Sequence, residues 1–102
     1  DIVKNKAKLG KIKFAMLSGR FLRGLPHRGG NDVDLLIVGS VVLAELGSFV
    51  RAEEVKRERE LNYTVMTDEE FAFRKRRRDP FVLEILSGSR VMLIGDEEEL
   101  VS

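Results

Sequence analysis

The chain has 102 residues, 18 of them Lys or Arg and 17 Asp or Glu, so its formal net charge is +1, and 43% of the residues are hydrophobic. This balance supports one layered core and excludes a disordered polyelectrolyte, while the absence of cysteine excludes a disulfide framework, a thiolate nucleophile and a cysteine-ligated zinc site. A lone His27 excludes a histidine metal cage, and no apolar run approaches the roughly 18 residues of a membrane span, so a soluble, cytoplasmic single domain over 1–102 with no membrane partner is expected.

The start at Asp1 instead of Met is compatible with a domain cut from a longer chain, and the Lys-rich, weakly periodic residues 1–10 read as the end of an upstream element. Lys11 to Leu17 (KIKFAML) alternates and then turns wholly apolar, which predicts a strand entering a core. From Ser18 to Asn31 come Gly19, Gly24, Gly29, Gly30 and Pro26, a density of breakers that predicts a loop. Asp32 to Gly39 (DVDLLIVG) has no polar residue after Asp34 and predicts a central strand covered on both faces. Ser40 is placed to cap a helix with apolar positions Leu43, Leu46, Phe49 and Val50. Its far end, RAEEVKRERE, forms a solvated face with Glu53 and Arg57 paired at i,i+4.

Leu61 to Met66 (LNYTVM) predicts a third strand, and Thr67 with Glu70 three residues on is a capping box opening a further helix. That helix ends in the basic run Arg74, Lys75, Arg76, Arg77 and Arg78. Asp79-Pro80 then restarts a short helical segment, Arg90 to Gly95 (RVMLIG) is a fourth strand, and Asp96 to Leu100 is an acidic turn or helix. Strands alternating with helices give an α/β (α+β) fold: a small mixed sheet of about four to five strands with helices packed on it.

The chemistry lies in Asp32-x-Asp34. On a strand the side-chain period of two puts both carboxylates on one face, roughly 6.6 Å apart along the chain. Hard oxygen ligands of this kind suit Mg²⁺ or Mn²⁺, with substrate phosphates completing the coordination. The plainer reading is that Asn31, Asp32 and Asp34 close a turn. Upstream, the turn Ser18-Gly19-Arg20 ends the preceding strand, and residues 21–31 bring the chain to Asp32 on the next one. Backbone N–H groups at a glycine turn bind phosphate, and Arg20 adds a bidentate cation.

The SGR turn, the glycine-rich loop and DVDLLIVG together resemble the nucleotidyltransferase superfamily of DNA polymerase beta, in particular its minimal domains. The strand REL-NYTVMT from Arg59 to Thr67, the following helix, the Pro-containing segment and the final I-G-D strand extend the resemblance over Phe14 to Leu100. It implies that Asp32 and Asp34 hold the catalytic metal, that Ser18, Gly19 and Arg20 hold nucleotide phosphate, and that a third acidic residue stands on the next strand. Two positions depart from that pattern: Arg20 replaces a small residue, and Asn62 stands where the third carboxylate belongs. Glu60, on the same face, is a candidate substitute ligand, and an exposed charge at a helix end is the preferred reading of it.

Three functions follow. One is a Mg²⁺-dependent transfer of a nucleoside monophosphate from an NTP, with ATP the expected donor, to a hydroxyl on a small molecule or on a protein such as a helical toxin. Another is a degenerate domain that senses nucleotide or dimerises within a transcriptional regulator or toxin-antitoxin pair, touching DNA only through an upstream module. The third is nucleic-acid binding through Arg74 to Arg78, against which the near-zero net charge and a solvated helix face weigh. His27 receives no role, and Phe71, Phe73 and Tyr63 read as core or interface residues.

Overall fold

The computed structural model of the protein describes residues 10–24 and 33–101. In chain order these form β1 (Gly10–Ser18), α1 (Gly19–Leu22), β2 (Leu35–Val41), α2 (Leu43–Arg57), β3 (Tyr63–Met66), α3 (Asp68–Arg76), α4 (Pro80–Ser87), β4 (Arg90–Ile94) and α5 (Glu97–Val101). The four strands make one mixed sheet in the order β3-β2-β1-β4. β1 is antiparallel to both neighbours, and β2 is parallel to β3. A parallel pair cannot be joined by a tight turn, and the chain crosses between β2 and β3 through α2.

Both faces of the sheet are covered, which accounts for the unbroken apolar run of β2. Leu35 and Ile37 enter one core with Phe21 of α1 and Leu46 and Val50 of α2. Leu36 and Val38 enter the other with Phe71 of α3, Val82 of α4 and Leu100 of α5. β1 serves both cores by alternation, Ala15 in the first and Phe14 and Met16 in the second, and a bulge shifts its start. Ile12 opposes Gly39 and Phe14 opposes Val38, so Lys13 is the extra residue and the faces exchange across it. Ile12 therefore joins the first core, while Phe14 joins the second and packs its ring 6.1 Å from that of Phe71. Gly39 lies opposite the bulge at φ +147, where a Cβ would stand 2.4 Å from the Lys11 carbonyl oxygen.

Several sequence expectations shift. β2 continues through Ser40 to Val41, so Ser40 is strand and not a cap. The N-cap of α2 is Val42, whose side chain makes no capping bond, and Leu43, now the first helical residue, stands exposed. The loop expected from Ser18 begins instead with the one-turn helix α1, because the Ser18 hydroxyl accepts the Arg20 N–H at 3.1 Å and caps it. The Thr67 cap forms as expected, with the Glu70 N–H donating to Oγ1 at 3.0 Å, but the Glu70 carboxylate pairs with Arg74 instead of closing the box. Asp79 caps α4 through the Phe81 N–H with Pro80 at the first position, and Glu53 and Arg57 pair at 3.2 Å as expected. Residues 1–9, His27 and the rest of 25–32, Asp32 included, lie outside the described residues. No helix among the described residues is long and apolar enough to cross a membrane.

Candidate functional site

The antiparallel and parallel pairings decide where the motifs meet. β1 runs toward one end of the sheet, and β2, β3 and β4 all start from that end. Ser18, Asp34, Asn62 and Ser89 are therefore gathered from four separate stretches of chain.

Backbone hydrogen bonds pin them there. The Ser18 N–H donates to the Asp34 carbonyl at 2.8 Å, which ties the glycine turn to the Asp-x-Asp segment. The Asp34 and Leu35 N–H groups both donate to the Asn62 carbonyl, at 2.8 and 3.1 Å. In return the Asn62 N–H donates to Asp34 Oδ2 at 2.8 Å, so backbone and side chain of Asp34 grip the start of β3 together. Asp34 is only 3% exposed, the one buried charged residue among those described. It precedes β2 in a bend, where the strand period expected over Asp32 to Gly39 does not yet apply.

The Ser18-Gly19-Arg20 turn is equally fixed. The Gly19 N–H donates to the Ser89 carbonyl at 2.9 Å, and the Arg20 N–H is the one capped by Ser18. A Cβ on Gly19 would lie 2.2 Å from Ser89 Oγ, so glycine is there for close approach of the loop before β4. Phe21, one residue past Arg20, is buried beneath two guanidiniums, with Arg57 at 5.2 Å and Arg59 at 4.8 Å from its ring centre. Arg59 Nη1 also donates to the Phe21 carbonyl at 3.4 Å.

Of the third-strand candidates, Asn62 sits beside Asp34 just ahead of β3, whereas Glu60 is exposed at the rim. Among the described residues no three acidic or histidine side chains gather as a metal cage. An open groove of about 600 Å³ adjoins this end of the sheet, with Val33, Glu60, Asn62, Tyr63 and Thr64 along one side, Gly47, Arg51 and Glu54 of α2 along another, and Phe81 of α4 reaching it from the opposite face of the sheet. Tyr63, expected as core or interface, is 43% exposed in this groove, because β3 is an edge strand with a neighbouring strand on one side only.

The basic run is spread out by its own neighbours. Arg74 bridges Glu70 and Asp79, each at 3.0 Å, and Lys75 Nζ donates to the Leu100 carbonyl at 2.9 Å. Arg77 covers the half-exposed ring of Phe73, Arg76 is exposed, and Arg78 turns the chain at φ 53. Two of the five cations thus join helices instead of facing outward together. Sequence reasoning missed Ser89 and Phe21 as parts of the turn's support. Their only signal was the Ser-Gly-Ser break before β4 and an aromatic residue among breakers. No family model, no curated protein and no solved structure matches this chain.

Proposed function

We propose that this chain is a nucleotidyltransferase-like domain that binds a nucleoside triphosphate, ATP first among the candidates, together with Mg²⁺ or Mn²⁺ at the sheet end built by Ser18, Gly19, Arg20 and Asp34. The observation that carries this reading is the 2.8 Å bond from the Ser18 N–H to the Asp34 carbonyl, which makes neighbours of the two halves of the motif. The donor set fits the metal, because Mg²⁺ is usually held by one or two carboxylates with phosphate and water completing its shell. A carboxylate offers about four acceptor positions, so the Asn62 bond by itself does not use up Asp34. The sequence pattern adds Asp32 as the second ligand.

Bound metal would neutralise phosphate charge and stabilise charge developing at the α-phosphorus. The Arg20 guanidinium suits phosphate oxygens bidentately. Transfer requires more: an acceptor hydroxyl oxygen bonds to the α-phosphorus, the bond to the bridging oxygen of the β-phosphate breaks, pyrophosphate leaves, and the hydroxyl proton passes to a base. Asn62 cannot take that proton. Its position beside Asp34 favours the second reading, a domain that holds nucleotide as a sensor or dimerisation unit without turnover.

The deciding measurement is calorimetric titration of ATP with and without Mg²⁺, beside Asp34→Asn, which keeps an oxygen to accept the Asn62 N–H. Metal-dependent heat that the variant loses is the expected result, and heat unchanged in the variant sinks the site. Radiolabel transfer by Asn62→Asp, absent in the parent, separates the holding reading from the transferring one.

A further inference from the structure

The nucleotide reading places phosphates at Ser18 to Arg20 and the metal at Asp34 but leaves the rest of the ligand without a seat. The groove beside the edge strand adjoins that place directly, since Asn62 belongs both to the grip on Asp34 and to the groove wall. Resting on that reading, we propose that the groove between α2 and β3 is the nucleoside subsite, taking the ribose and base of the triphosphate with the base against Tyr63, which the pairing with Leu35 turns to the α2 face. Its volume of about 600 Å³ lies within the span typical of small-ligand sites. The Tyr63 ring on a largely polar lining suits a flat heteroaromatic ring, whose stacking on an aromatic side chain tolerates any base. The polar lining suits a ribose: Glu54 and Glu60 accept from its hydroxyls, and Thr64 both donates and accepts. Gly47, in the first half of α2, also lines the groove.

The composition supplies a direct probe. Tyr63 is the only tyrosine and the chain has no tryptophan, so the near-ultraviolet emission comes from the groove itself. Adenosine, Mg-tripolyphosphate and Mg-ATP are titrated separately into the full chain, with tyrosine emission corrected for ligand absorption and calorimetry in parallel. Adenosine is expected to quench Tyr63 saturably, and ATP to bind about tenfold or more tightly than tripolyphosphate, as one stacked base allows. Tyr63→Val, which keeps a strand-forming residue, should remove that advantage and leave tripolyphosphate binding unchanged. Tyr63→Phe, read by calorimetry, keeps the ring and should keep the advantage, which separates lost stacking from a loosened β3. Equal affinities for ATP and tripolyphosphate, or variants that weaken both alike, overturn the subsite while the phosphate reading stands. Adenosine quenching without tripolyphosphate binding supports the groove and removes the phosphate reading, and silence from both ligands removes the two together.

Discussion

Asp34 is the one buried charged side chain among the described residues. A buried carboxylate is tolerated only when hydrogen-bonded, and here the Asn62 N–H fills that role. Asp34→Ala strips a buried donor of its acceptor and should lower stability by roughly 1–3 kcal/mol. Asp34→Asn retains an acceptor oxygen and should cost clearly less. Urea unfolding of the two variants separates them, and equal losses would mean that the Asn62 bond contributes nothing. Gly19 is a second such point. Its missing Cβ leaves room for Ser89 Oγ, so Gly19→Ala should destabilise by about 1–3 kcal/mol as the loop before β4 is pushed away. Gly19→Ala combined with Ser89→Gly should recover most of the loss if that contact is the cause.

At the level of elements, the helices are bounded by side chains whose roles are local and testable. Thr67 accepts from Glu70 at the head of α3, and Thr67→Ala should cost about 1 kcal/mol in thermal or urea unfolding. α2 ends on Glu58 in the left-handed region at φ 52, with its N–H donating to Glu54 and Val55 carbonyls. A non-glycine residue there carries a penalty of roughly 1–2 kcal/mol. Glu58→Gly should therefore stabilise the fold by about 0.5–1 kcal/mol once the greater freedom of glycine in the unfolded chain is counted. A fall in the unfolding midpoint would show that the Glu58 side chain matters more than its backbone. α3 and α4 are joined by Arg74, which reaches Glu70 on its own helix and Asp79 at the next cap. The two bonds explain why the basic run does not present five parallel cations to a nucleic acid.

For the molecule as a whole, the sheet is a partition with a core on each side, and β1 and β2 contribute to both. Leu36 and Ile37 are neighbours in sequence but belong to opposite cores. Replacing either by Ala should cost about 2–5 kcal/mol, a large share of the roughly 5–15 kcal/mol that holds a domain of this size. Because both cores hang on the same strands, each variant should lower one shared transition, seen alike by circular dichroism and by Tyr63 emission. Transitions that separate between the two probes would mean that the faces unfold independently. The same sheet decides the site, whose parts are up to 71 residues apart in sequence between Ser18 and Ser89.

What the sequence determined by itself is local. The apolar run after Asp34 required cover on two faces, Asp79-Pro80 restarted a helix, and Thr67 opened one, because period, cap and proline geometry act within a few residues. Tertiary structure decided the rest, since it depends on which strands become neighbours. Ser40 became strand because β2 pairs with β1 as far as Gly10, a partner that a cap signal does not register. Lys13 is a bulge only with respect to Gly39 and Val38. Tyr63 is exposed because β3 took the sheet edge, and Asp34 is buried because the parallel start of β3 brings the Asn62 backbone against it. The residue types of the candidate site could be read along the chain, but their convergence on one end of the sheet is a property of strand order and direction.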